Sequence, residues 1–260
     1  MLAGAATLAL DAATLRPPHS VQFPMAFTEL LPTQPDVMVA RIESAPFGEN
    51  TYVLSRRDRP ECLVIDPGFE PEAVIDWIEE HGLAPAAILL THGHSDHIAG
   101  NAALRERWPG LPILIGRDDA SKLTDPAGNL SGAFGLALIS PPADRLLTDG
   151  ETIDVAGFVI SVVAIPGHSC GHVVFRTDNT RPGLVFGGDV LFQEGIGRTD
   201  FPDGNFADLA AGIRRGLYTL PDDTVVFPGH GDTTTVGHER RHNPFVADLP
   251  NGPNAAEKSR

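Results

Sequence analysis

Short apolar runs alternate with polar breaks marked by Gly and Pro along most of the chain, and the period of the runs switches between two residues and about 3.6. Residues 37–42, 51–54 and 62–65 read as strands, the last closed by Asp66-Pro67-Gly68. Val74, Ile75 and Ile78 recur at helical spacing, so 72–81 reads as a helix with Gly82 as its stop. Residues 87–90 read as a short buried strand, and 97–108 as a helix ended by Pro109-Gly110. After a strand at 113–115, the stretch 122–143 is rich in Gly, Pro and Ser and reads as a lid or an irregular helix pair. Strands at 158–165, 172–176, 184–186 and 224–227 and a helix near 206–218 complete the pattern. This alternation predicts an α/β chain with its sheet largely under helices. Short strands meeting Gly-rich turns also leave many loop tips along one edge, where sites tend to lie.

Composition narrows the class. A chain of 260 residues, 42% apolar, has enough material for a sizeable core without staples. Lys+Arg 19 against Asp+Glu 34 gives a net charge of -15, so a nonspecific nucleic-acid or anionic-membrane partner is not expected. Two cysteines, Cys62 and Cys170, are too few for a disulfide framework and fit a reducing cytoplasm. No run reaches the ~20 apolar residues that would span a bilayer. The apolar start, 1–10, lacks a preceding basic residue and makes a poor signal peptide. The expected organisation is a loosely ordered extension over 1–35, one domain over 36–250 and a frayed tail over 251–260.

The chemistry concentrates in Thr91-His92-Gly93-His94-Ser95-Asp96-His97, where four ligand-type side chains fall within six positions after an apolar strand. His92, His94 and Asp96 are two apart, a spacing that projects side chains to one side of an extended segment and not to one helix face. Gly93 allows a bend, and Ser95 or Asp96 can cap the helix that follows. Neutral imidazoles with carboxylates suit zinc, and also iron(II). Three more such residues follow β-like runs in Gly-flanked turns: Pro166-Gly167-His168, Gly187-Gly188-Asp189 and Pro228-Gly229-His230. A core histidine would not need that punctuation three times.

In this order the motifs resemble the metallo-β-lactamase superfamily over roughly residues 37–245. Gly195-Ile196-Gly197-Arg198-Thr199-Asp200-Phe201-Pro202 and the Pro228-Gly229-His230-Gly231 ending resemble its short, single-domain glyoxalase II-like hydrolases. The resemblance implies an αββα sandwich, two mixed β-sheets face to face with helices outside and metals at one edge. It implies two divalent ions, zinc first with iron or manganese as alternatives: His92, His94 and His168 on one, Asp96, His97 and His230 on the other, and Asp189 bridging. Two ions (+4), Asp96 and Asp189 (-2) and a shared hydroxide leave about +1, an electrophilic cluster that delivers hydroxide at neutral pH. Asp96 and Asp189 are thereby the catalytic carboxylates. The implied substrate is a small-molecule thioester such as S-lactoylglutathione, whose thiol leaves easily because a free thiol has a pKa of ~8.5.

Three further residues carry expectations. Arg198 matches a basic position that contacts the glutathione moiety in longer relatives, with a salt bridge to Asp200 or Asp203 as its structural alternative. Asp66 is expected to orient a ligand imidazole or simply to end a strand. His172 is expected to support the site without ligating. The alternative function is a persulfide dioxygenase on the same fold, with one iron(II) on His92, His168 and Asp189.

Overall fold

A computed structural model describes residues 28–29 and 36–247 of the chain. Strands β1 (Thr28–Glu29), β2 (Val37–Ser44), β3 (Glu49–Arg56) and β4 (Glu61–Ile65) lead into helix α1 (Pro71–Glu80), followed by β5 (Ala84–Leu90), α2 (Ser95–Ile98), α3 (Asn101–Arg107) and β6 (Ile113–Gly116). Two 3-10 turns, Arg117–Thr124 and Ser131–Phe134, precede β7 (Arg145–Leu147), β8 (Thr152–Val155), β9 (Phe158–Ala164), β10 (Val173–Thr177) and β11 (Leu184–Gly188). The chain continues through β12 (Leu191–Phe192), β13 (Gly195–Ile196), α4 (Phe206–Gly216), β14 (Val225–Pro228), β15 (Thr234–Thr235) and α5 (Val236–His242). Apart from β1, the expected extension lies outside the described residues, as does the tail.

Two mixed sheets result. One runs β1 to β7 in sequence order, antiparallel through β4 and parallel from β4 to β7. The other runs β15-β14-β11-β10-β9-β8, with β11 and β14 parallel. Period-two alternation sorts the side chains. Leu63, Ile65 and Leu89 point between the sheets and meet Phe158, Ile160, Phe175 and Phe186 from the second one. Their neighbours Cys62, Val64, Ile88 and Leu90 point outward under Val74, Trp77 and Ile78 of α1. On the far face, Val174, Val185 and Val226 pack under Leu209 and Ile213 of α4, whose N-terminus is capped by the Asn205 side chain. Because both faces of each sheet are covered, the central strands read as continuous apolar runs. The layers are helix, sheet, sheet, helix, the expected αββα sandwich.

Two local expectations differ from the structure. The helix expected at 97–108 begins earlier, at Ser95, and is divided at Ala99-Gly100. Gly100 lies against the turn at Pro67-Gly68, where its N–H donates to the Pro67 carbonyl at 2.8 Å and a Cβ would crowd the Gly68 oxygen at 2.9 Å. The extended segment of the histidine motif ends at His94, which caps α2 with its backbone only, so Asp96 reaches the site from a helical turn.

Candidate metal centre

Strand direction brings the motifs together. The loops that follow β5, β9, β11 and β14 carry His92, His168, Asp189 and His230, and backbone bonds join them: Val173 N–H to Thr91 O at 2.8 Å, Gly229 N–H to Gly188 O at 2.8 Å, and Asn50 N–H to Gly229 O at 2.7 Å. Gly167 takes φ +127°, open to glycine but rarely to other residues, in the turn that delivers His168. Gly229 and Gly197 act through size instead, because a Cβ on either would collide with Asp189.

Two clusters result. In the first, His94 Nδ1 lies 3.0 Å from His92 Nε2 and 2.9 Å from His168 Nε2. His168 Nδ1 faces the Arg198 carbonyl at 2.9 Å, which can only accept, so that nitrogen carries the proton. The Thr91 hydroxyl donates to Asp66 Oδ2 at 2.6 Å and is therefore an acceptor toward His92 Nδ1, 3.1 Å away. Both Nε2 atoms thus direct lone pairs at the place where His94 Nδ1 also points. Three converging imidazole nitrogens cannot all be satisfied by one another's single protons, whereas a cation satisfies all three.

The second cluster is Asp96, His97 and His230. His230 Nε2 is 3.4 Å from Asp96 Oδ2 and 3.5 Å from Asp189 Oδ2; His97 Nε2 is 3.4 Å from Asp189 Oδ1 and 3.8 Å from Asp96 Oδ2. Three of the four spacings lie close to the ~3.3–3.4 Å edge of a tetrahedron of donors each about 2.0–2.1 Å from a common ion, and the fourth is longer. His97 Nε2 and Asp189 Oδ1 are buried without a hydrogen-bond partner. Such orphaned atoms are costly unless something absent from the polypeptide completes them. Asp189 Oδ2 also lies 3.4 Å from His168 Nε2, so one carboxylate reaches both clusters. The donors fit a pair of divalent ions.

Electrostatics divides the five histidines. Burial, reinforced by neighbouring imidazoles, holds His92 well below the usual histidine pKa and takes His94 down to about 3; burial likewise lowers His168. These rings are neutral and ready to ligate at physiological pH. For His230, burial alone would lower the pKa, but Asp189 and Asp96 outweigh it and push it up to about 10. His97 is raised for the same reason against complete burial. The second cluster therefore holds protons that a cation would displace.

Surrounding groups fix these rings. Asp66, at φ 49°, accepts from the Thr91 N–H at 2.7 Å and faces His97 Nδ1 at 3.1 Å, which turns His97 Nε2 inward. His172 Nε2 accepts the Asp189 backbone N–H at 3.1 Å while its ring stacks on His92, so its lone pair is engaged away from the clusters. Arg198 pairs through two bonds, 2.9 and 2.8 Å, with Asp200, lies over the Phe201 ring at 4.6 Å, and lines the cavity above the histidines. The Asp200 pair expected as its structural alternative is thus present, on a side chain that also lines the cavity.

Sequence reasoning missed two features. Lys122 and Asp119, in the 3-10 turn, form a buried ionic network beneath the histidine loops, and no periodicity or motif marks them. With Asp203 and Cys170 nearby, this network has ligand-type groups, but Lys122 Nζ already occupies it at 2.6 Å from Asp203 and 3.1 Å from Asp119. Burial and Asp119 push the Cys170 thiol up to about 11, leaving it inert. Glu49, fully buried at the start of β3 and 4.0 Å from His97 Nδ1, is the other; standing between Gly48 and Asn50, ahead of the apolar run, it carries no signal in the sequence.

A cavity of about 550 Å³ opens over the clusters, lined by His94, Asp96, His168, Asp189 and His230 below and mainly by apolar side chains above. That volume lies in the ordinary range for small-molecule sites. Among the described residues, no helix is long and apolar enough to cross a membrane.

Similar proteins share the arrangement of the chain. A probable metallo-hydrolase, YqgX, of Bacillus subtilis is 39% identical over 207 residues, covering 79% of this chain and 96% of the relative. The hydroxyacylglutathione hydrolase GloC of Haemophilus influenzae is 38% identical over 195 residues, covering 73% and 89%. Among solved structures, the BLEG-1 B3 metallo-beta-lactamase superposes with a TM-score of 0.76 at 39% identity, over 80% of this chain and 99% of the other. TTHA1623 in a di-iron-bound form gives 0.70 at 38%, over 79% and 99%. Residues 45–230 match the family model itself, and with it the chain belongs to the metallo-beta-lactamase superfamily.

Proposed function

We propose that the chain is a binuclear metal-dependent hydrolase of small-molecule thioesters, acting in the cytoplasm. His92, His94 and His168 would hold one divalent ion, Asp96, His97 and His230 the other, with Asp189 shared; zinc is the first choice and iron or manganese the alternatives. The observation that carries this reading is the convergence of two donor sets on either side of the buried Asp189 carboxylate, whose Oδ2 faces His168 and whose Oδ1 faces His97 and has no hydrogen-bond partner. Bound there, the ions would supply hydroxide at neutral pH and positive charge facing the developing oxyanion.

The protein's own groups favour a thioester. Apart from the donors, Arg198 is the one ionisable side chain among the described residues lining the cavity, and its guanidinium cannot give up a proton. A leaving group must depart without a dedicated acid, which a thiolate does more readily than an alkoxide or amide. The overall change is thioester plus water to carboxylate, thiol and a proton. The GloC relative, named as a hydroxyacylglutathione hydrolase, supports the same class. A one-iron persulfide dioxygenase would use His92, His168 and Asp189 and leave His94, His97 and His230 aimed at the same space without a task.

The test is metal content per chain by elemental analysis, on protein purified without chelator, alongside S-lactoylglutathione hydrolysis and oxygen uptake with glutathione persulfide. About two metals with thioester turnover and no oxygen uptake support the hydrolase; about one iron with persulfide-dependent uptake overturns it.

Two milder substitutions probe the surroundings. Asp66→Ala frees His97 to rotate and should weaken metal affinity about 10- to 100-fold, read by competition with a chromophoric chelator. Unchanged affinity would reduce Asp66 to a turn carboxylate. Arg198→Ala should raise KM for a glutathione thioester only about threefold, because Arg198 and its partner Asp200 are both exposed and water screens whatever either one contributes to holding a ligand. An equal effect on a small neutral ester would make Arg198 purely structural.

A further inference from the structure

The floor of the cavity is polar and its walls are not. Phe47 and Phe134 meet edge-on, ring centroids 5.3 Å apart, and both line the opening. Phe134 is 61% exposed at the tip of a 3-10 turn bounded by Leu130 at φ 68° and Gly135 at φ 74°. One exposed ring is ordinary, but Phe134 stands with Phe47, Leu130 and Ala133 in a continuous apolar rim of the cavity, and such a patch marks a ligand site. Deeper, Phe201 lies against His94 and His168, with centroids at 5.2 and 5.5 Å, and Phe192 faces His230 at 6.1 Å. Apolar surface thus reaches from the rim to the histidines.

Charge recognition is sparse by comparison. Among the described residues Arg198 is the one Lys or Arg on the lining, and both Asp200 carboxylate oxygens already engage it. A thiol carrier with two carboxylates meets a single guanidinium that is neutralised within the chain. Discrimination must therefore come from the apolar walls, and so from the apolar part of the substrate. A small hydroxyacyl group would place its hydroxyl against rings that offer no partner.

Resting on the thioesterase reading, we infer that the site selects thioesters with an aryl or alkyl acyl group, Phe47 and Phe134 gripping that group as specificity residues. The carrier then leaves past the separate Arg198–Phe201 pair, which holds it weakly.

S-phenylacetylglutathione and S-lactoylglutathione share a carrier, so their kcat/KM ratio on the metal-replete full chain isolates the acyl group. The expected ratio is roughly tenfold or more in favour of phenylacetyl, falling to about threefold or less in Phe134→Ala, mainly through KM. Calorimetry with the uncleavable thioether S-phenethylglutathione gives a readout free of turnover, with Kd expected to rise about tenfold in the same variant. Faster lactoyl turnover, or an unaltered ratio and Kd in Phe134→Ala, overturns the inference while leaving the thioesterase reading intact. Failure of the metal-replete chain to hydrolyse either thioester overturns that reading, and this inference with it.

Discussion

Asp189→Ala is expected to leave about 1% or less of the hydrolase activity and to lower bound metal measurably. Changes to groups that merely support ligands already cost 10- to 100-fold in metal affinity or activity, and Asp189 stands closer than any of these. Its Oδ1 lies 3.4 Å from His97 Nε2, and its Oδ2 lies 3.4 Å from His168 Nε2 and 3.5 Å from His230 Nε2. Burial would favour the neutral acid, yet His97, His230 and His168 outweigh it and hold the carboxyl well below the usual range, so it is an anion among these rings. Alanine removes that charge from both clusters at once. The backbone N–H that binds His172 is retained, so the loop has no reason to unfold. Elemental analysis, thioester turnover and circular dichroism on the same preparation separate the effects. A folded, fully active and metal-replete variant would remove Asp189 from the centre; loss of one ion with activity preserved would point to a single working metal.

The arrangement around Asp189 was legible because four ligand turns share one grammar, an apolar run followed by a Gly-flanked His or Asp, and because parallel pairing of β11 with β14 puts two of those ends side by side. The central strands were legible for a related reason: burial on both faces writes them as apolar runs. What was not legible depends on contacts between distant segments. The break at Gly100 follows from its approach to Pro67-Gly68. Strands β7 and β8 carry Arg145, Thr152 and Asp154 on exposed positions, so neither shows an apolar run. Gly93 was read as allowing a bend; what the sequence does not show is that a Cβ there would stand 2.7 Å from Lys122 Cβ, so closeness to the 3-10 turn excludes a side chain. Phe47 and Phe134 are 87 positions apart, and nothing local pairs them. The stretch 122–143, read as lid or helix pair, contributes the end of one 3-10 turn and a second whose Phe134 lies on the cavity rim.

Lys122→Ala should destabilise the protein by about 3–5 kcal/mol, a large share of the ~5–15 kcal/mol that holds a typical domain together. Lys122 Nζ lies 2.5 Å from Ser169 Oγ, 2.6 Å from Asp203 Oδ2 and 3.1 Å from Asp119 Oδ1. Asp119 is fully buried and accepts the N–H groups of Gly93 at 2.9 Å and Gly171 at 2.8 Å and the Ser169 hydroxyl. The network thereby ties Gly93, between His92 and His94, to Ser169, beside His168. Removing the ammonium strands a buried carboxylate, the costly half of a broken ion pair. Burial pulls the Lys122 pKa down and the Asp119 and Asp203 values up, but mutual attraction and hydrogen bonds win, leaving Lys122 raised and both carboxyls lowered. The carboxylate contribution is then present above the ordinary pKa of ~3.9 and lost as pH falls through the depressed values; the lysine contribution is present below ~10.4 and lost as pH rises through the raised one. Urea unfolding of parent and variant should therefore show a gap that is constant between about pH 5 and 9 and narrows below about pH 4. A gap under about 1 kcal/mol at neutral pH, the value of an exposed surface pair, would show that the histidine loops hold their positions without the network.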